Sequence, residues 1–136
     1  MAADIYPATG LDDDPQQESL LNVQLQSDGY YWHLYWYFES AKLPSNHELI
    51  NLYEDNEIFG YELERLDARL KEAALDLQWR PDAWDVTIGW NGKDLCRETE
   101  LKSRVRKHEM LSIIDHLLSL ITYASARDLK LCVRGD

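Results

Sequence analysis

Phe59, Leu63, Leu66, Leu70, Ala73 and Leu77 stand 4, 3, 4, 3 and 4 residues apart. That spacing draws a single apolar stripe along an α-helix. It predicts a helix over about residues 57–78, stopped by Arg80-Pro81-Asp82. Asp67 and Lys71 add an i,i+4 pair with the acid N-terminal, the favourable order. A helix with one apolar stripe has to bury it, so the rest of the chain must supply an apolar surface.

Alternating segments can supply it. Residues 21–26 (Leu-Asn-Val-Gln-Leu-Gln) alternate as a half-buried strand does. Ser27-Asp28-Gly29 then has hairpin chemistry. Residues 30–38 (Tyr-Tyr-Trp-His-Leu-Tyr-Trp-Tyr-Phe) are aromatic and favour a strand. Period two would place Trp32, Leu34, Trp36 and Phe38 on one face and Tyr31, His33, Tyr35 and Tyr37 on the other. Ser45-Asn46-His47-Glu48 matches a capping box, which predicts a short helix over about 46–53. Trp84, Val86, Ile88 and Trp90 alternate again, and Asn91-Gly92 is a strong hairpin signal. A second long helix is expected over about 103–126, with Met110, Ile113, Ile114, Leu117, Leu118 and Ile121 inward. Leu129, Leu131 and Val133 read as a closing strand. The expected fold is α+β: a mostly antiparallel sheet of about five strands, ordered ββ-αα-ββ-α-β, with two long helices on one face.

At 136 residues and 45% hydrophobic content, the chain suits one core rather than two. Residues 1–18 carry Pro7, Gly10, Pro15 and Asp12-Asp13-Asp14, so they read as a disordered acidic tail. Residues 19–136 read as a single α+β domain. No apolar run reaches the ~18–20 residues of a membrane span. The first residues lack the basic and apolar regions of a secretory signal, so the expected location is cytoplasmic. Cys96 and Cys132 are then expected to be ordinary buried thiols.

Charge is distributed unevenly. Residues 1–64 hold 13 acids and one base, Lys42, whereas residues 65–136 hold 12 acids and 13 bases. The net charge of −11 therefore belongs almost wholly to the first half. Such a field repels nucleic acid and anionic membranes and steers basic proteins. Glu54, Asp55 and Glu57 have a plainer role open to them, since acids at a helix start oppose its macrodipole. Arg97, Lys102, Arg104, Arg106 and Lys107 form a basic cluster, but Glu98, Glu100 and Glu109 interleave with it.

Motifs for chemistry are missing. His108-Glu109 starts like a zinc helix, but Ser112 stands where the second histidine belongs. No nucleophile elbow, phosphate loop or dinucleotide fingerprint occurs. No catalytic residue, metal site or cofactor is therefore expected. The expected interaction surface is aromatic and acidic: Tyr31, His33, Tyr35, Tyr37, Glu39, Glu48, Glu54, Asp55, Glu57, Glu62 and Glu64.

Small size, acidity, five tryptophans and absent catalytic motifs make the chain similar in general character to small bacterial immunity proteins. No motif in it is specific to one of their families. The leading expectation is an immunity protein or antitoxin that occludes a basic toxin such as a nuclease. Two alternatives stand beside it: a secretion chaperone or adaptor working as a homodimer, and an enzyme or small-ligand domain with a Tyr/His pocket.

Overall fold

The computed structural model describes residues 2–12, 22–44, 47–94 and 97–136, and side chains in all of these except 90–94 and 97–100. Among these residues it shows an α+β protein with three helices, one four-stranded antiparallel sheet and one two-stranded ribbon.

The sheet begins where a tail was expected. Ala2–Ala8 (β1) is a strand and pairs on one side with Val23–Gln26 (β2). On its other side it pairs with Lys130–Gly135 (β6), and Asn56–Ile58 (β3) completes the order β2-β1-β6-β3. The tail expectation is thus corrected for Ala2–Ala8, and residues 13–18 lie outside the described residues. Pro7 argued against a strand because it lacks an N–H. The register explains its tolerance. Among the described residues β2 pairs with Ala2 to Ile5, and Pro7 has β6 as its neighbour.

The second correction is larger. Residues 29–41 form helix α1 (Gly29–Ala41), not a strand. Asp28 caps it rather than turning a hairpin: one carboxylate oxygen accepts from the amides of Tyr30 (3.0 Å) and Tyr31 (3.2 Å). Gly29 is required by close approach. A Cβ there would lie 2.6 Å from Val105 Cγ1, and the Gly29 amide donates to Ser103 Oγ at 3.0 Å. The buried residues Tyr31, Leu34, Phe38 and Ala41 are spaced 3, 4 and 3, a helical stripe. Trp32 and Trp36, assigned by period two to the same face as Leu34, are 37% and 72% exposed.

Helix α2 (Gly60–Asp76) follows the expected stripe, with Leu63, Leu66, Leu70 and Ala73 buried. Leu77 is buried in the 3-10 turn Leu77–Trp79 that extends it. Phe59 is the N-cap residue and stands outside the stripe, 55% exposed. Asp67 and Lys71 pair at 2.7 Å.

No helix occupies 47–55, and Ser45 and Asn46 lie outside the described residues. The segment packs Leu49, Ile50 and Leu52 into the core as irregular backbone. Side chains satisfy groups that a helix would have paired internally. Tyr31 Oη donates to Ile50 O (2.7 Å), Asn56 Nδ2 to Leu49 O (2.9 Å), and Leu49 N to Glu39 (3.1 Å).

Ala83–Asp94 (β4) and Arg97–Arg106 (β5) form the separate ribbon, so the strands do not join one five-stranded sheet. Asn91 pairs opposite Thr99, which carries β4 past Asn91-Gly92; the ladder runs on to Asp94 opposite Arg97. The register shifts there instead of turning. Residues 103–106 belong to β5, so the last helix, α3 (Lys107–Ala126), starts later than its pattern suggested. Its buried face includes Met110, Ile114, Leu117 and Ile121, as expected, together with Leu120 and Ala124.

The main core lies between the helices and one sheet face, where Ala3, Ile5, Val23, Leu25, Ile58, Leu131 and Val133 project. Helix α3 packs on β1 and β6, and α2 contacts both α1 and α3. The other sheet face holds a smaller cluster of Tyr6, Ala8 and Cys132. Cys132 is buried, and Cys96 lies outside the described residues.

Candidate functional site: the solvent side of helix α1

Helix α1 turns one side to the core and leaves Trp32 and Trp36, one turn apart, on the other. The segment 47–53 runs along one flank, tied down by the Tyr31–Ile50 and Glu39–Leu49 hydrogen bonds. Between helix and segment lies a cleft of about 260 Å³ lined by Tyr31, Trp32, Tyr35, Glu48, Asn51, Leu52 and Tyr53. The Trp32 and Tyr35 rings stand 5.4 Å apart at 47°. Tyr53 is 57% exposed at the rim.

The expected site residues do not form one surface. Tyr31 is buried against the core, and burial first, then nearby Glu48, pushes its phenol far up. Tyr35 is half-buried and hydrogen-bonded to Glu48. Its phenol is pushed up to about 12 by burial first, then by the charges of Glu39 and Glu48. Tyr37 faces α2 and donates to Asp76 Oδ2 at 2.6 Å. Burial first, then that hydrogen bond, raises its phenol to about 12.

His33 packs edge-on against Trp84, centroids 5.4 Å apart. Burial first, then the Arg80 cation, pushes its imidazole down to about 4. His33 Nε2 and Trp84 Nε1 are buried without a hydrogen-bond partner among the described residues. An acid–base role for His33 would need a carboxylate such as Asp85 in the same concavity. Asp85 follows Trp84 on β4, so it projects to the opposite face, where Arg104 stands 3.6 Å away.

The acids divide likewise. Glu39 holds the Leu49 amide and pairs with Lys42 at 3.3 Å. Glu48 stands in the cleft. Glu54 is exposed, and Asp55 accepts from the Gly135 amide at 3.1 Å. Glu57 pairs with Lys130 at 3.4 Å on the sheet. Glu54, Asp55 and Glu57 therefore border or form β3, and the helix-start role is corrected. Glu62 accepts from the Leu43 amide at 3.0 Å, with His47 at 3.7 Å. Glu64 lies on α2, beside an open groove of about 520 Å³ toward α3 that has no aromatic lining.

The structure therefore brings together Tyr31, Tyr35, Glu39 and Glu48 and separates the rest. It adds Trp32 and Trp36, which period two had placed with Leu34 and Phe38, and also Asn51 and Tyr53. A helical reading of the 3-4-3 stripe in 31–41 would have placed both tryptophans outside. Among the described residues, no three His, Cys, Asp or Glu side chains gather as a metal site would require. Among the same residues, no helix is long and apolar enough to cross a membrane.

These features define an α+β protein with a solvent-facing aromatic helix in an acidic setting. No family model, curated protein or solved structure matches the chain.

Proposed function

We propose that this chain is a stoichiometric binding protein that captures a basic protein in the cytoplasm, and that its partner is a toxin such as a nuclease, neutralised by occlusion. The observation that carries this reading is the exposed Trp32–Trp36 ridge set in a strongly acidic stretch. Residues 39–64 hold seven carboxylates against one base, Lys42. A solvated helix has no need of two outward tryptophans. Tryptophan is among the residues that most often dominate binding energy, and surrounding charge speeds encounter with an oppositely charged partner. A nuclease surface is basic because it must hold phosphates, so it meets both requirements.

The test is capture from the native host with the intact chain, followed by titration of the recovered protein. A basic partner is expected, bound more weakly as salt rises. Trp36→Ala should weaken binding by about 30-fold or more, as for an interface hot spot of ~2 kcal/mol. A recovered partner of acidic or neutral surface would overturn the reading. So would binding indifferent both to salt and to Trp36→Ala.

A further inference from the structure

The cleft beside α1 is more specific than the ridge above it. Its walls are the rings of Trp32, Tyr35 and Tyr53, and its polar groups are the Glu48 carboxylate and the Asn51 amide. The buried Tyr31 and Leu52 close its inner end. Among the described residues, no cationic side chain lines it. We infer that this cleft is a socket for one arginine side chain of the basic partner, an assignment that rests on the binding function proposed above.

Three observations converge on that occupant. The first is size. At about 260 Å³ the cleft falls below the ~300–1,000 Å³ of most small-molecule pockets, and one side chain is the commensurate guest. The second is charge. Glu48 stands at the cleft, and Glu39 lies close enough for both to act on Tyr35 and Tyr31. Glu48 already accepts from Tyr35 and, at 3.4 Å, from Asn51 Nδ2. An ionised carboxylate has about four acceptor sites, so it retains capacity for a guest. The third is shape. Two tilted rings 5.4 Å apart and a rim tyrosine offer aromatic faces, on which a planar guanidinium stacks while its N–H groups reach a carboxylate. Lysine would satisfy the charge but not the planar contact.

The experiment uses the full chain and a defined probe, the capped tripeptide acetyl-Gly-Arg-Gly-amide, followed by NMR of the ¹⁵N-labelled protein. Its control replaces arginine with citrulline, which keeps the shape and removes the charge. The arginine peptide is expected to shift the Trp32 indole N–H, the Asn51 side-chain amide and the amides of residues 48–53. Glu48→Gln should weaken that binding about fivefold, as for the loss of ~1 kcal/mol. Tyr53→Ala should weaken it too, and this exposed side chain can be removed without unfolding the protein. The socket is overturned by equal shifts with citrulline, by undiminished binding to both variants, or by no shift at millimolar peptide. The captured partner separates the two levels of inference. A basic partner binding wild type and Glu48→Gln equally would remove the socket and leave the binding function standing. Specific arginine binding without any basic partner would do the reverse.

Discussion

Helices α1 and α2 lie side by side, and they dispose of their apolar residues differently. In α2 the leucine stripe is consumed by the core, and the solvent side is held by local pairs such as Asp67–Lys71 and Arg69–Glu72. In α1 the core takes Tyr31, Leu34, Phe38 and Ala41, yet Trp32 and Trp36 remain outside. Folding accounts for the leucine stripe of α2 and leaves a tryptophan surplus on α1. That surplus is what the proposed binding role draws on. The distinction has a limit: Leu75 on α2 and, at 81% exposure, Trp79 in the turn that follows also stand outside.

The comparison can be broken most forcefully inside α1. Phe38→Ala should destabilise the protein by about 3–5 kcal/mol in urea unfolding, as truncation of a buried phenylalanine does. A cost below about 1 kcal/mol would mean that α1 is not seated as described. Gly29→Ala should follow at about 1–3 kcal/mol, because the new methyl meets Val105 and must displace it. Unchanged stability would show that α1 does not rest on β5. Asp28→Ala should cost about 1 kcal/mol through the lost cap, and Asp28→Ser should recover most of it. A hairpin turn would not respond to serine in that way.

His33 supplies a smaller and pH-dependent effect. Its folded imidazole titrates near 4, below the ordinary 6.5. The unfolded chain therefore binds more protons between these values, and stability falls as pH drops from about 6.5 toward 4. His33→Phe keeps a ring against Trp84 and removes the titration, so its stability should decline less steeply over that window. Equal slopes would place His33 in water. The smallest expected effect sharpens the comparison most. Trp36→Ser should change stability by no more than about 0.5 kcal/mol while weakening partner capture. A large loss of stability would make Trp36 structural and erase the contrast between the helices.

Local periodicity by itself determined much of this protein. The α2 stripe, the inward face of α3, the alternation of β2 and β6 and the acidic first half all follow from spacing within a few residues. Each pattern fits only one kind of element. The candidate site was legible in part: Tyr35, Glu39 and Glu48 were named, but Trp32 and Trp36 were assigned to an inner face. The aromatic run 30–38 admits both periods, because nearly every residue in it can be buried. Two contacts resolved it, one local and one tertiary: Asp28 capping the first turn, and β5 close enough to exclude any Cβ at Gly29. The strand at Ala2–Ala8 was likewise invisible, because its pairing partner β6 lies more than a hundred residues away. Periodicity along a chain says which faces are apolar. Only the assembled fold decides which apolar residues the core leaves outside, and here those include the tryptophans of α1.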